Sequence, residues 1–397
     1  MRQQLDSTPR VADTLAPLLL WLLSTPFLHA TGLEQAYQSP EGSALGNAVI
    51  ASVDDASAIH YNVAGLANIE EFQLQVNSLG LYGNARYRNQ AGRFQVDDTF
   101  QNTGSIFAAA PLSEGLVLGL GVTNPFGLKA SYADDHDLRN FGIEGELAHL
   151  RTSLGVGWKA SRNLELGATL VWAYENFESI SGLPRGGTTR FKGDGDAWGY
   201  ALGLRWTPAP KHRVALNYRS GMDVTSKGKL NDTIPASFQW TYPHQFIFGY
   251  AHDRGPWTFE ANFQYNTWSD LELLALRLED GTPLLPQRQD WHDSQFYSVG
   301  ITYRLDDKTS LRAGYLHGTQ AVPDPFTTPL LAASIYNAIS AGFSHQFQKL
   351  ELDATLILNW RKDKDLQKGA PNLFGQTANA IYKTNSVAFH LGTTYRF

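Results

Sequence analysis

The stretch Ser386–Phe397 constrains the fold more than any other in the chain. Read in steps of two, Val387, Phe389, Leu391, Thr393, Tyr395 and Phe397 fall on one face. Ala388, His390, Gly392, Thr394 and Arg396 fall on the other. A period of two is the signature of a β-strand. The first face is apolar and finishes in aromatics; the second is small or polar. An apolar strand with a free edge invites aggregation, and closing the sheet into a barrel removes the edge. The apolar face then looks outward, the lipid-out, polar-in alternation of a transmembrane barrel.

The same alternation recurs along the chain. Leu164, Leu166, Ala168, Leu170, Trp172 and Tyr174 alternate with Glu165, Gly167, Thr169, Val171, Ala173 and Glu175. Trp198, Tyr200, Leu202, Leu204 and Trp206 form one apolar row, and Leu350, Leu352, Ala354, Leu356, Leu358 and Trp360 another. Charge sits on the polar rows and is absent from the apolar ones. A charge at lipid depth costs roughly 2–4 kcal/mol, far more than in a wet lumen. A soluble sandwich would instead bury the apolar rows as a shared core. Long strands, aromatics at row ends and an export signal argue against it.

Composition agrees. A mean hydropathy of −0.28 excludes a bundle of membrane helices, whereas barrels escape hydropathy because half of each strand is polar. The 10 Trp and 17 Tyr suit two interfacial girdles. No cysteine is present, which excludes disulfides and Cys-ligated metal. A net charge of −6 without a basic tract argues against nucleic acid as a partner.

Short connections such as Ser161–Asn163, Asp306–Lys308 and Gln346–Gln348 carry turn residues. They alternate with longer segments: 127–143, 181–189, 231–237, 279–283, 321–332 and 362–378. Outer-membrane barrels place short turns in the periplasm and long loops outside. With both ends periplasmic, the expectation is an all-β antiparallel barrel of about fourteen strands over residues 72–397.

Before the barrel come two other regions. Arg2 and Arg10 precede the uncharged, Leu-rich run Leu15–Leu28, too short to span a bilayer as a helix. Residues 1–30 read as a signal peptide, with cleavage expected after Ala30. Residues 31–71 are rich in Gly, Ala and Ser without sustained alternation. About forty residues bury too little apolar area to fold alone, so they need a host. A barrel lumen is one.

The run Asp54-Asp-Ala-Ser-Ala-Ile-His-Tyr-Asn-Val-Ala-Gly-Leu-Ala67 resembles the FadL-type family of outer-membrane transporters. So do the stretch Asp196–Leu230, the segment Tyr265–Leu274, the segment Ser298–Asp324, and a closing strand that ends in an aromatic. The likeness covers nearly the whole of the chain after residue 30. It implies a bacterial outer-membrane location and a fourteen-stranded barrel plugged by an N-terminal hatch. That hatch carries an Asn-Pro-Ala motif in the family. Here Asn62, Val63 and Ala64 stand in its place, without the proline. The resemblance also implies passive transport of a hydrophobic ligand, a fatty acid or hydrocarbon: loop capture, an internal pocket, hatch rearrangement and lateral exit through the wall. It further makes the last strand a signal to the outer-membrane assembly machinery.

The residues themselves offer candidates for that passage. Asn124-Pro-Phe-Gly127 puts a proline in the third strand, where it cannot donate to the ladder. Pro125 is expected to break pairing near the strand's upper end. Phe126, Leu128, Tyr132, Phe326, Leu330 and Leu331 lie on or beside extracellular loops, where apolar side chains call for a cover or a ligand. No catalytic triad, metal set or cofactor motif is evident; the glycines of Gly193–Gly199 open a strand rather than a helix. The expected partners are the ligand, the bilayer and its lipopolysaccharide, around a monomer. A general porin and a barrel lipid hydrolase are the alternatives. The first would lack the hatch, and the second would need a lipid-facing Ser–His constellation.

Overall fold

In the computed structural model, which describes residues 33–397 apart from 98 and 272, the sheet closes on itself. Its strands are β1 (Gln73–Arg88), β2 (Phe100–Ser113), β3 (Leu116–Ser131), β4 (Glu144–Ser161), β5 (Leu164–Gly182) and β6 (Thr188–Ala209). Then come β7 (His212–Arg219 with Met222–Leu230), β8 (Ile234–Tyr242 with Gln245–Arg254), β9 (Trp257–Asn266 with Leu273–Leu278) and β10 (Pro283–Arg288 with Ser294–Arg304). Last are β11 (Thr309–Gly318), β12 (Tyr336–Phe347), β13 (Leu350–Arg361 with Lys364–Leu366) and β14 (Ala380–Arg396). Each strand pairs antiparallel with the next, and β14 closes on β1 from Gln73↔Arg396 to Arg88↔Ile381. The fourteen-stranded antiparallel barrel expected from the sequence is therefore the fold.

The two-step rows explain the orientation. Leu170, Trp198, Leu202 and Phe389 are 50–63% exposed, while their neighbours Thr169, Ala201 and Ala388 are buried. Outward rows are thus apolar and end in Trp and Tyr, as a lipid-facing band requires. Phe72 and Phe397 stack edge to face at the seam, centroids 4.9 Å apart.

Two expectations need correction. The charge-free rule for outward rows holds only within the bilayer band. Above it the strands continue as paired hairpins in water, and the polarity inverts: Glu178, Arg190 and Lys192 point out while Phe177 and Phe191 point in. For the same reason several outer connections are shorter than expected. The one after β7 is only the turn 231–233, the one after β5 spans 183–187, and β3 runs on to Ser131, so Leu128 lies in a strand. Gly193–Gly199 likewise sits inside β6 rather than opening it.

Inside the wall lies the N-terminal segment. Ser39 caps helix α1 (Pro40–Ala44) by accepting from Gly42 N–H at 3.1 Å, with Pro40 at the first helical position. Helix α2 (Ala58–Tyr61) leads into a 3₁₀ turn, Val63–Asn68. Most residues from Leu33 to Ile69 are buried. Inward glycines of the wall allow this approach. A Cβ on Gly157 would stand 2.7 Å from Leu66 Cβ and 2.8 Å from Val63 O; one on Gly167 would stand 2.7 Å from the Val63 carbonyl carbon. The signal peptide expected over residues 1–30 lies outside the described residues.

Candidate functional site

Proline 125 shapes the third strand. Thr123 pairs with Arg151 and Phe126 with His149, so Asn124 and Pro125 form a bulge against β4. Pairing then resumes from Gly127 to Ser131. The proline interrupts the ladder and kinks the strand in its upper half, and the strand then continues. A kink orphans backbone groups, and here the N-terminal segment satisfies them. Gln35 N–H donates to Pro125 O at 2.8 Å, and Gly127 N–H donates to Leu33 O at 3.0 Å. The Gln38 side-chain amide accepts from Asn124 N–H and donates to Asn124 O, both at 3.1 Å. Glu34 and Phe126 form the β-bridge between the two.

Phe126 is fully buried and belongs to a closely packed aromatic cluster, a closed chamber inside the barrel, with Leu33, Tyr242, Trp268, Trp291, Trp240 and Phe177. Its ring lies 4.8 Å from Tyr242 and 6.0 Å from Trp268. Above the chamber a groove of about 190 Å³ opens to solvent. Phe177, Phe191, Phe238, Trp240 and Leu276 line it from the wall, and Phe326, Leu330 and Leu331 from the loop before β12. Lys364 Nζ holds that loop, at 3.0 Å from Thr327 Oγ1 and 3.2 Å from Asp324 Oδ1.

Polar groups close the lower end. The Arg151 guanidinium sits 4.8 Å over the Phe126 ring, and its Nε donates to His149 Nε2 at 3.2 Å. Glu175 accepts from Ser226 Oγ at 2.8 Å and from Tyr242 Oη. Glu34 accepts from Gln245 and Gln264 at 2.9 and 2.8 Å, and from Asn266 at 3.1 Å. Burial pushes the Glu34 carboxyl above its usual range, opposed by these hydrogen bonds and by the Arg219 and Arg151 charges. Below lies a small polar cavity of about 20 Å³, lined by Arg151, Arg219, Thr123, Thr169 and His60.

The candidate residues therefore divide. Phe326, Leu330 and Leu331 share the groove; Pro125 and Phe126 form the kink beneath it. Tyr132 is buried elsewhere, its hydroxyl donating to Pro329 O at 3.3 Å in packing between loops. Asn62 caps the 3₁₀ turn: its Oδ1 accepts from Ala64 N–H at 3.2 Å, and its Nδ2 donates to Ile50 O at 2.9 Å and Leu204 O at 3.2 Å. Val63 takes the first turn position, where proline would also fit, and with Ala64 packs on Gly167. Sequence reading missed Phe177, Phe191, Phe238, Trp240, Trp268 and Trp291. The signal was the aromatic content of rows that, lower down, are polar.

Among the described residues one Ser–His side-chain contact exists. Ser43 Oγ lies 2.8 Å from His390 Nδ1, but the hydroxyl donates to Ser39 O at 2.7 Å. His390 therefore donates to Ser43 rather than deprotonating it, and both are sealed between the N-terminal segment and the wall, away from lipid.

Known proteins share this design. The sequence model of the family described as "Outer membrane protein transport protein (OMPP1/FadL/TodX)" matches residues 23–397. A 47 kDa outer membrane protein of Pasteurella multocida is 22% identical, over 88% of this chain and 91% of its own. The long-chain fatty acid transport protein of Escherichia coli K12 is 20% identical, over 60% of this chain and 66% of its own. A Pseudomonas aeruginosa FadL homologue superposes with a TM-score of 0.83 at 15% identity, covering 92% of this chain and 100% of its own. The P. putida toluene transporter TodX does so at 0.72 and 16%, covering 94% and 99%.

Proposed function

From the premise that this chain belongs to the OMPP1/FadL/TodX family of outer membrane transport proteins, we propose that it carries hydrophobic small molecules passively across the bacterial outer membrane. The observation that carries this reading is the continuous run of apolar side chains from the open groove, through the packed aromatic cluster, to Phe126 in the kinked strand. Ligand leaves water on Phe177, Phe191, Phe238 and the loop residues Phe326, Leu330 and Leu331. It then moves into the chamber around Trp240, Trp268 and Tyr242. The exit is the bulge at Asn124–Pro125, closed at rest by Leu33, Gln35 and Gln38. Release of the N-terminal segment, residues 31–71 acting as hatch with Asn62, Val63 and Ala64 at its base, opens a lateral route into the membrane. Such a route spares an apolar solute the aqueous crossing that a porin offers. The transport names of the relatives, and a Ser43 hydroxyl engaged with Ser39, give the hydrolase reading no support.

Arg151 at the lower end of the chamber favours a ligand with an acidic terminus over a plain hydrocarbon. A buried guanidinium over an aromatic ring is a suitable partner for a carboxylate whose tail occupies the chamber. Oleate should therefore displace a fluorescent fatty acid far better than an alkane of equal length.

The chain has no cysteine, so a single engineered pair tests the route. Glu34→Cys with Phe126→Cys joins bridge partners, whose spacing suits a disulfide. The oxidised protein should stop oleate uptake and the reduced protein should restore it. Equal uptake in both states would remove the lateral exit.

A further inference from the structure

Outward charges above the bilayer band fall into two kinds. On β3–β6 they neutralise one another: Lys129 meets Glu146 at 3.6 Å, and Glu178 meets Arg190 at 2.7 Å and Lys192 at 3.2 Å. Around the neighbouring β1–β14 seam, basic side chains are instead in excess over the outward Asp363 and Asp365. Along β1 the outward row reads Tyr82, Asn84, Arg86, Arg88. Arg88 stands directly opposite Arg93 of the short strand Arg93–Gln95, and Arg86 directly opposite Lys383 of β14. Like charges facing each other across strands destabilise a sheet. Lys362 lies exposed beyond Trp360 on the next strand. Only Lys383 in this group has an ion-pair partner, Asp363; among the described residues Arg86, Arg88 and Arg93 have none.

The depth of this patch identifies what completes it. Tyr82 is 59% exposed and Trp360 40%, and both mark the upper aromatic girdle. Arg86 is four residues beyond Tyr82, or about 13 Å along the strand at ~3.3 Å per residue. A strand tilt of about 40° leaves roughly 10 Å of height. Arg88, two residues farther on, and Arg93 opposite it stand about 15 Å above the girdle on the same reckoning, so the three guanidiniums span the headgroup layer of the outer leaflet, where this membrane carries phosphorylated glycolipid. We propose that Arg86, Arg88 and Arg93, with Lys383 and Lys362, bind the phosphates of outer-leaflet lipopolysaccharide across the β1–β14 seam. Guanidinium groups match phosphate oxygens in pairs, and two phosphates of one glycolipid can satisfy arginines that repel each other when empty. The bound lipid then straps the seam where the last strand meets the first.

Native mass spectrometry of the full chain in detergent tests this with added lipid A. Bisphosphorylated lipid A should stay bound, while lipid A stripped of phosphate and phosphatidylglycerol should each be retained at least tenfold less. The triple variant Arg86→Gln, Arg88→Gln, Arg93→Gln should lose retention of bisphosphorylated lipid A at least tenfold. The pair Arg190→Gln, Lys192→Gln, on the self-neutralised side, should keep it. Retention by the triple variant equal to the parent, equal loss in the control pair, or equal binding of phosphate-free lipid A or phosphatidylglycerol would each overturn the proposal. The lipid comparison on the unsubstituted chain decides the point even if the triple variant assembles poorly.

Discussion

Replacing Gly167 by alanine should loosen the N-terminal segment without touching the lipid face. Gly167 lies on the inner row of β5, and an added Cβ would stand 2.7 Å from the Val63 carbonyl carbon and 2.8 Å from Ala64 N. Carbon contacts settle near 3.5 Å, so the 3₁₀ turn must retreat by about 0.8 Å. The obstacle is backbone, held by Asn62 to Ile50 and Leu204, so no side chain can swing away. Overpacking of this kind costs about 1–3 kcal/mol. At about 2 kcal/mol, the amides of the turn should exchange roughly thirtyfold faster, because each 1.4 kcal/mol is tenfold. Hydrogen exchange read by mass spectrometry over residues 58–71 measures this, and ion conductance in planar bilayers should rise in step. Ala168→Leu, one residue on and facing outward, is the control and should change neither. Unchanged exchange in Gly167→Ala, or an equal change in Ala168→Leu, would refute the idea that wall glycines seat the segment.

Three further outcomes follow from the same geometry. Gln38→Ala strips two buried hydrogen bonds from Asn124; at about 1–3 kcal/mol per orphaned group it should increase leak of a small hydrophobic dye through the wall in liposomes, and an unchanged leak would count against the latch. Leu202, midway between Trp198 and Trp206 and half exposed, should tolerate arginine badly: Leu202→Arg should cost roughly 2–4 kcal/mol in lipid-based unfolding, against little for Thr188→Arg above the band. In the N-terminal segment, burial lifts the Glu41 carboxyl to about 7 and the Asp55 carboxyl to about 6, with the nearby carboxylates Asp54 and Glu351 pushing the same way and Arg312 opposing at Glu41. Carboxyls raised on folding favour the folded segment below their unfolded values and lose that contribution as pH climbs through 6–7. Intrinsic-rate-corrected exchange over residues 40–60 should therefore be slower at pH 5 than at pH 8, and Glu41→Gln should flatten the difference.

The barrel was legible because lipid imposes one rule on every strand it touches. Rows such as Leu164–Tyr174 and Leu350–Trp360 keep a period of two, and the aromatic girdle marks where the rule stops. Above Tyr174 the strand continues, but water now lies outside. Phe177, on the same row as Glu175, turns from an anomaly into the groove wall. No local pattern separates such a residue from a lipid-facing one; only the height of the strand does. The kink was legible as a proline in a strand. That Gln38 and Leu33 satisfy it was not, because those contacts join residues some ninety positions apart. Tyr132 shows the converse: a large aromatic on an outer loop that packs beneath another loop instead of facing the groove.

The seat of the N-terminal segment also fixes an order of assembly. Helix α1 rests on β11, β12, β13 and β14, and the Val63–Asn68 turn on β3, β4, β5 and β6. One half of the seat therefore forms early in the chain and the other only at its last strand. Phe397 N–H reaches Phe72 O at 3.0 Å only when β14 has met β1. Until then the cradle of α1 lacks β14, whose His390 meets Ser43 and whose Gly392 faces Pro40. Contacts this distant in sequence form slowly. Sealing the cylinder and stoppering it are consequently one late event, and a chain arrested before β14 docks is an uncorked trough rather than a narrower pore.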